Sequence, residues 1–271
     1  MKLTYLGTAA AEGFPATFCN CESCQKARKL KGKNIRTRSQ SIINEDLLID
    51  LPMDTYMHFL HNDIEGDKIK YLLVTHSHMD HFYYPELKMR GWPFSHNMRN
   101  ENLEIFCGKG TFDLINAQGV PNNATVTEIK PFETVSVGNY KVTGLPARHM
   151  IGDGALIYII QGDKTILYAH DTGYFYDEVL EFIKDNKFKF DMVSFDCTFA
   201  VNEAPVGDGH MGIPNVIKLK EQLFEMGVID NNTKLYINHF SHNGNPLQNV
   251  LEDEVKDFGM GVSYDGLSVE I

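Results

Sequence analysis

The sequence has no run of about 18 apolar residues, the minimum for a helix that spans a bilayer. Its N-terminus also lacks the long apolar core and the small-residue cleavage site of a signal peptide. Internal repeats and low-complexity linkers are missing as well. With 43% hydrophobic and 23% charged residues, the composition excludes a disordered chain, a coiled coil or a collagen. We therefore expect a cytoplasmic globular protein that does not associate with membranes.

Basic residues are in the minority, with 25 Lys and Arg against 36 Asp and Glu, which gives a net charge of −11. Such a surface repels nucleic acid and anionic membranes at long range, so a nucleic-acid polymer is a disfavoured partner. One stretch, residues 26–38, departs from this balance, because it holds seven basic residues and no acidic one. We expect a solvated helix and loop there, with a patch that steers anions toward a site as the alternative.

Cysteine is also sparse, and its count of five is odd. An odd count in a chain without secretion signals disfavours a disulfide framework. Cys107 and Cys197 lie in apolar stretches and are expected to be inert core thiols. The other three, Cys19, Cys21 and Cys24, lie together. Three thiolates and one imidazole make a closed tetrahedral site, which in proteins is a structural zinc site.

Short apolar runs bounded by Gly, Asn, Asp and Pro recur along the whole chain. They predict strands over residues 2–6, 41–43, 47–50, 69–75, 103–107, 126–129, 135–137, 141–145, 155–161, 165–169, 192–196, 234–238, 262–264 and 267–271. Helical spacing predicts helices over residues 54–61, 177–184, 214–225 and 247–256. In the first of these helices the predicted stripe consists of Tyr56, Met57, Leu60 and His61.

No shift in composition marks a boundary, so residues 1–271 are predicted to form a single domain. Strands and helices are interleaved, and strands are more numerous. This pattern favours an α/β fold in which two mixed sheets pack face to face and helices cover the outer faces, a four-layer αββα stack. Spacing alone supports this architecture weakly, and most of its support comes from the histidine motif that follows.

A histidine-rich segment directly follows the apolar run that ends at Val74. Four side chains that can bind metal occur within six residues, namely His76, His78, Asp80 and His81. Imidazole and carboxylate are ligands for Zn²⁺, Mn²⁺ or Fe²⁺. Residues i and i+2 of an extended segment point the same way, so His76 and His78 can bind one ion. If the chain then turns into a helix, Asp80 and His81 project toward a neighbouring position, and one short loop supplies ligands to two ions.

Two metal ions need more ligands than this loop provides, and the ends of later strands offer three candidates. His149 follows the strand that ends at Leu145, Asp171 follows Ala169, and His239 follows Asn238. Side chains that follow strands in this way converge on one edge of a sheet, where ligand sites occur.

The pattern His-x-His-x-Asp-His, followed by a distant His, an Asp and a last His, resembles the metallo-β-lactamase superfamily. The resemblance extends from Leu6-Gly7-Thr8 to His239 and implies the αββα sandwich of that superfamily. It implies one ion bound by His76, His78 and His149, a second bound by Asp80, His81 and His239, and Asp171 as the bridge between them. His170 stays outside the predicted ligand set, because its side chain could either point into the fold or support the metal ligands without binding an ion.

The cysteine loop, at about residues 19–24, requires a fourth ligand, and His242 is the candidate because it stands three residues after His239. One imidazole can then face the catalytic ions while the other faces away. The Gly-Thr strand end, the cysteine loop and this histidine pair resemble the phosphodiesterase branch associated with the carbon–phosphorus lyase pathway. The pyrroloquinoline-quinone biosynthesis branch has a similar loop, so the loop leaves the activity open. Residues 82–94 are expected either to line the substrate cleft or to form a surface helix and loop.

The resemblance implies a dinuclear metal-dependent hydrolase, foremost a phosphodiesterase that acts on small or cyclic phosphodiesters through a hydroxide that bridges the ions. The cofactors would be two catalytic ions, Zn or Mn with Fe or Ni as alternatives, and one structural Zn. Asp80 and Asp171, both expected to take part in catalysis, offset only part of the four positive charges. The site is therefore expected to attract a small anionic substrate. A homodimer is a further expectation from the resemblance.

His210 is the candidate donor of a proton to the leaving oxygen. It lies in a glycine-rich loop before the predicted helix 214–225, and a helix N-terminus favours an anion. The related phosphodiesterase also has a histidine in this region, and Asp208 could orient the imidazole. The alternative is an ordinary surface histidine.

Other functions use the same residues. A lactonase or thioesterase could act on a carboxyl ester, with Tyr174 or Tyr176 polarising the carbonyl. A non-hydrolytic cofactor-biosynthesis protein of the pyrroloquinoline-quinone B type would turn over no ester. A tRNA 3′-processing nuclease is less favoured, because nothing beyond residues 26–38 resembles an RNA-binding arm.

Overall fold

The computed structural model describes residues 1–150 and 152–271, and within them fourteen strands form two sheets. The first sheet has, in spatial order, the strands β14 (Ser268–Glu270), β1 (Lys2–Gly7), β2 (Gln40–Ile43), β3 (Leu47–Ile49), β4 (Tyr71–Val74), β5 (Leu103–Cys107) and β6 (Ala124–Glu128). The second sheet has the strands β13 (Met260–Val262), β12 (Lys234–Asn238), β11 (Met192–Asp196), β10 (Thr165–Ala169), β9 (Leu156–Gln161), β8 (Tyr140–Pro146) and β7 (Thr134–Val137). Every predicted strand has a counterpart, although the one predicted over residues 262–264 is found at Met260–Val262.

Helices lie between the strands along the chain. They are α1 (Glu22–Leu30), α2 (Thr55–His61), α3 (Tyr84–Leu87), α4 (Lys109–Gln118), α5 (Asp177–Asp185), α6 (Ile213–Glu225) and α7 (Gln248–Val255). Among the described residues, no helix has both the length and the apolar character that a membrane span requires.

The two sheets pack face to face because alternate residues of their strands are apolar on the inner side. In β10, Ile166 and Tyr168 belong to the core between the sheets, whereas Leu167 and Ala169 belong to the core on the outer side. That outer core also contains the apolar faces of α5, α6 and α7. A further core covers the outer face of the first sheet. The predicted four-layer αββα fold is therefore confirmed.

The direction of the strands determines where the functional residues lie. Strands β10, β11 and β12 are parallel to one another. Strand β9 is antiparallel to both β8 and β10, so β8 runs in the same direction as β10. The carboxyl ends of these four strands therefore lie at one edge of the second sheet. All the predicted ligands from this sheet follow that edge.

Helix α2 is present, but the face predicted to be buried is exposed. Tyr56, Met57 and Leu60 are 67%, 40% and 59% exposed, whereas His58 is buried. The ring nitrogens of His58 contact Gln40 Oε1 at 2.6 Å and Thr37 Oγ1 at 2.7 Å. The inner face of the helix is thus polar, and a search for an apolar stripe selects the wrong side.

The basic stretch at residues 26–38 includes one buried cation. Arg36 is only 2% exposed, and its guanidinium donates to Thr8 Oγ1, Ser263 O and Gln248 Oε1. The guanidinium also lies over the ring of Phe240, 4.4 Å from its centroid. Residues 26–38 were predicted to be either a solvated helix and loop or a patch that steers anions, and Arg36 is neither. Its guanidinium joins distant segments inside the fold.

We expect Arg36→Ala to lower the free energy of unfolding by about 3 kcal/mol, because it leaves several buried polar groups without a partner. Urea unfolding followed by circular dichroism measures this change. Lys29→Ala removes an exposed cation from the same stretch and should change the free energy by less than about 0.5 kcal/mol. Equal effects of the two substitutions would contradict a structural role of Arg36.

Candidate metal centre

The histidine-rich loop after β4 is held in place by a carboxylate from another loop. The backbone N–H of Ser77 donates to Asp153 Oδ2 at 3.1 Å, and its hydroxyl donates to Asp153 Oδ1 at 2.7 Å. A turn follows, in which the N–H groups of His81 and Phe82 donate to the carbonyl of His78 at 2.9 and 2.7 Å. These bonds direct the side chains of the loop toward the strand ends of the second sheet.

The first cluster contains His76, His78, His149 and Asp171, whose ligand atoms all lie within 4.8 Å of one another. His76 Nε2 is 2.8 Å from His78 Nδ1, and His149 Nε2 is 3.2 Å from the same nitrogen. His76 Nε2 also lies 3.2 Å from Asp171 Oδ2. Three imidazole nitrogens thus converge with one carboxylate oxygen, a donor set that suits a divalent ion.

The second cluster contains Asp80, His81, Asp171 and His239, again within 4.8 Å of one another. His81 Nε2 is 3.2 Å from His239 Nε2 and 2.8 Å from Asp171 Oδ2. Asp171 is therefore common to both clusters. The structure brings together all seven residues that the sequence assigned to the dinuclear site, in the two groups that were predicted.

Asp171 and His239 have an unusual backbone conformation, with φ values of 52° and 65°. Left-handed φ is costly for residues other than glycine and clusters at functional sites. In addition, Asp171 Oδ1 is buried and accepts no hydrogen bond from any described residue, although His210 Nδ1 lies 3.2 Å away. A buried carboxylate oxygen without a hydrogen bond fits a position next to a metal ion.

Two residues outside the predicted set orient the ligand histidines. Asp50 Oδ2 lies 2.7 Å from His81 Nδ1, and Asp50 also accepts from the backbone N–H of Thr75. Thr198 Oγ1 lies 2.7 Å from His239 Nδ1. Partners of this kind fix the ring and leave the other nitrogen free for metal. The sequence carried no local signal for either contact.

Asp196 is the functional candidate that sequence reasoning missed. It ends β11, it is fully buried, and its carboxylate accepts from the N–H groups of Asp171 at 3.1 Å and Met211 at 2.8 Å. Its Oδ2 also lies 3.3 Å from His210 Nδ1. The strand-end rule that identified Asp171 applies equally to Asp196 and would have found it.

The imidazole of His210 lies beside the two clusters. Asp196, Asp171 and Thr198 surround its Nδ1, whereas Asp208 bonds only its backbone N–H, at 3.1 Å. The prediction that Asp208 orients the ring is therefore corrected to Asp196. Burial opposes a positive charge on this ring, but Asp196 outweighs burial and raises the pKa of His210 to about 9.

Burial and charge act in opposite directions on the clusters. Burial disfavours ionised Asp171, yet the neighbouring histidines hold the pKa of its carboxyl well below the usual value. Burial also disfavours charged His81, yet Asp171 and Asp50 raise its pKa well above 6.5. Burial lowers the pKa of His149 to about 4. Protons and metal ions therefore compete for a compact, strongly coupled group of side chains.

His170 points into the fold, as one of its two predicted placements had it. Its ring is fully buried, with Nε2 2.7 Å from Ser194 Oγ and Nδ1 3.1 Å from Asn238 Nδ2. Both ring nitrogens are thus engaged in the core, and the pKa of His170 is lowered well below its usual value by burial.

The cysteine cluster forms at the start of α1. Sulfur atoms of Cys19, Cys21 and Cys24 and a ring nitrogen of His242 lie within 4.8 Å of one another. His242 Nδ1 is 3.5 Å from Cys19 Sγ and 3.6 Å from Cys21 Sγ. The N–H of Cys24 points at Cys21 Sγ and lowers the pKa of that thiol to about 6. The donor set fits a closed zinc site of the Cys₃His type.

We expect Cys21→Ser to release one zinc ion per chain and to lower the free energy of unfolding by roughly 3 kcal/mol, the stabilisation from a ligand at ~100 times its Kd. Zinc is measured by a colorimetric chelator and stability by urea unfolding. Cys107→Ser is the matched control, because Cys107 is a buried free thiol outside the clusters. It should destabilise the protein without loss of zinc, and unchanged zinc in Cys21→Ser would contradict the assignment.

Comparison with known proteins agrees with this architecture. A family model described as the beta-lactamase superfamily domain matches residues 48–227, more than half of the chain. A crystal structure of a new diphosphatase from the PhnP family is 20% identical with a TM-score of 0.75, covering 100% of this chain and 96% of that chain. Zn²⁺-bound PqqB from Methylobacterium extorquens is 17% identical with a TM-score of 0.75, covering 100% of both chains.

Human tRNase Z, short form, is 15% identical with a TM-score of 0.68, covering 100% of this chain and 99% of that chain. At these identities the likeness to the three structures shows a shared fold. No curated protein matches the sequence at a significant level. The family match, the two sheets with their flanking helices and the histidine-rich edge agree, and the chain belongs to the metallo-β-lactamase superfamily, most of whose members are metal-dependent hydrolases.

Proposed function

We propose that this protein is a dinuclear metal-dependent phosphodiesterase that acts on small or cyclic phosphodiesters. The observation that carries the proposal is that Asp171 belongs to both metal clusters while the pair His210 and Asp196 lies beside it. The arrangement offers two adjacent cation sites with a proton donor next to them. Displacement at phosphorus requires positive charge at the reacting oxygens and a proton for the leaving group.

Divalent ions in the two clusters would supply Lewis acidity and lower the pKa of a water toward ~7. The residues that would hold them are His76, His78, Asp80, His81, His149, Asp171 and His239. Only two of the seven are carboxylates, so the ligands carry less negative charge than two dications carry positive charge. The centre therefore favours an anionic substrate, although the chain has a net charge of −11.

His210 is placed to protonate the leaving oxygen. Because Asp196, Asp171 and Thr198 surround Nδ1, the proton available to a substrate is the one on Nε2. The side chain of His210 is 24% exposed, so part of the ring is accessible from outside the protein. Asp196 acts as a positioning residue, because it holds both this ring and the backbone N–H of Asp171.

The similar structures support phosphoryl chemistry without deciding the substrate. One of them is described as a diphosphatase and another as a tRNase Z, and both names refer to enzymes that act on phosphate esters or anhydrides. We infer that this chain acts on a phosphodiester smaller than tRNA, because the net charge of −11 opposes a polynucleotide and Arg36 of the one basic stretch is buried.

The alternative of a lactonase or thioesterase requires Tyr174 or Tyr176 to polarise the substrate carbonyl, but both tyrosines make contacts within the fold. The hydroxyl of Tyr174 donates to Gln222 Oε1 at 2.7 Å. The ring of Tyr176 lies under the guanidinium of Arg148, 4.0 Å from it. The hydroxyl of Tyr174 is therefore engaged, and the ring of Tyr176 is held by Arg148, which favours the phosphodiesterase.

A substrate panel tests the proposal. Protein loaded with Mn²⁺ or Zn²⁺ is assayed on bis-p-nitrophenyl phosphate, 2′,3′-cyclic AMP, p-nitrophenyl phosphate, p-nitrophenyl acetate and N-hexanoyl homoserine lactone. We expect kcat/KM for both diesters to exceed that for the other substrates by about 10²-fold. Preference for the lactone or the acetate would assign a carboxyl-ester hydrolase. No turnover at full metal occupancy would assign a non-hydrolytic role of the PqqB kind.

A further inference from the structure

A cavity of about 420 Å³ lies on the outer side of the first sheet, away from the metal clusters. Its floor is formed by Leu48 and Leu72 from β3 and β4, and its walls by Phe59 of α2 and by Leu87 and Met98. None of the residues of the metal clusters lines it. Its volume and its apolar lining are those of small-molecule sites, which are typically about 300–1,000 Å³.

The packing of α2 explains why this space stays open. The helix docks on the sheet through the polar contacts of His58 with Gln40 and Thr37, and Phe59 is the apolar side chain of the helix that packs against the core. Its Tyr56 stands at the rim of the cavity and is 67% exposed. The segment at residues 86–98 forms the opposite wall. Residues 82–94, predicted either to line the substrate cleft or to form a surface helix and loop, contribute Glu86, Leu87, Met89 and Arg90 to this cavity.

One end of the cavity is lined by Arg90, a cation whose guanidinium donates only to uncharged groups. Nε of Arg90 is buried and has no hydrogen-bond partner among the described residues. The other guanidinium nitrogens donate to Met98 Sδ at 3.6 Å and to Asn100 O at 2.5 Å, so both partners are uncharged. No ion pair of Arg90 occurs in residues 1–150 and 152–271.

The acidic groups of the cavity do not neutralise this cation directly. Asp67 is engaged by Arg99, whose Nε donates to its Oδ2 at 2.6 Å. Glu86 forms no ion pair among the described residues, and burial raises the pKa of its carboxyl. The cavity therefore combines an apolar body with a cationic end.

We propose that this cavity binds a small amphipathic carboxylate, with its apolar chain or ring over Leu48 and Leu72 and its carboxylate on Arg90. The complementarity is specific in charge and in shape. An arginine forms its strongest contacts with planar carboxylates, and the apolar floor accepts a chain that carries no further polar groups. This site is separate from the metal centre and does not depend on the activity proposed above.

The lone tryptophan of the chain reports on the cavity. The ring of His96, which lines the cavity, lies 5.2 Å from the ring of Trp92. We expect saturable binding of decanoate to the metal-loaded protein, followed by the emission of Trp92 and by isothermal titration calorimetry. Arg90→Gln should weaken this binding at least tenfold. Lys88→Gln removes an exposed cation two residues away and should leave it unchanged.

Two further ligands decide between charge types. Methyl decanoate keeps the chain but loses the negative charge, and decylamine reverses the charge. Both should bind at least tenfold more weakly than decanoate. Tighter binding of decylamine, lost in Glu86→Gln, would overturn the proposal in favour of a cationic ligand. Decanoate binding that persists in Arg90→Gln would also overturn it, because this variant keeps the metal clusters, where a carboxylate could bind instead.

Discussion

Asp171→Asn is expected to lower kcat/KM for bis-p-nitrophenyl phosphate by on the order of 10³-fold or more, because it removes the one charge shared by both clusters. The amide keeps the size of the side chain, so the effect comes from the lost charge. Asp171 Oδ2 lies 2.8 Å from His81 Nε2 and 3.2 Å from His76 Nε2, and the amide cannot balance two neighbouring cations. Metal content should therefore fall together with activity.

The measurement combines steady-state kinetics with metal analysis of dialysed protein. Asp113→Asn is the matched control, because Asp113 is an exposed carboxylate on α4 that pairs with Lys109. This control should keep the metal content and activity of the unmodified protein. Asp171→Asn with full metal content and full activity would remove the shared carboxylate from the centre, and with it the dinuclear arrangement.

The ligands could be predicted from sequence because their positions follow from strand direction. Parallel strands end at one edge, so His149, Asp171 and His239 had to lie near one another once their strands were assigned. The residues that orient them are different. Asp50 reaches His81 and Thr198 reaches His239 only through contacts between separate loops, and nothing in the local sequence marks such a contact.

Helices α4 and α2 show a second limit to what the sequence can predict, which concerns helices without an apolar buried face. In α4 only Thr111 and Ile115 of the ten residues are buried, so no apolar stripe distinguishes this helix from a loop. In α2 the buried His58 lies on the inner face, while Tyr56 and Leu60 face outward. Hydrophobic periodicity assumes that helices pack through apolar side chains, and where a helix packs through a polar network the assumption fails. The cavity beside α2 is a consequence that the pattern could not reveal.

His210→Ala is expected to lower kcat for 2′,3′-cyclic AMP by about 10²–10³-fold and kcat for bis-p-nitrophenyl phosphate by less than about tenfold. The first substrate expels an alkoxide, which needs a proton, whereas the second expels an acidic phenol that leaves without one. Metal content should be unchanged, since the two predicted ligand groups are complete without His210. His61→Ala, at an exposed histidine of α2, is the matched control and should alter neither rate.

The carboxylate of Asp196, next to His210, provides a further test of the role of His210. If Asp196 acts by holding the ring of His210, Asp196→Asn lowers kcat for the cyclic substrate in the native background but has little further effect once His210 is alanine. Independent roles would give multiplied losses in the double variant. An equal loss on both substrates in His210→Ala, accompanied by loss of metal, would identify His210 as a ligand in the cluster with Asp171, Asp196 and His239 rather than as the proton donor.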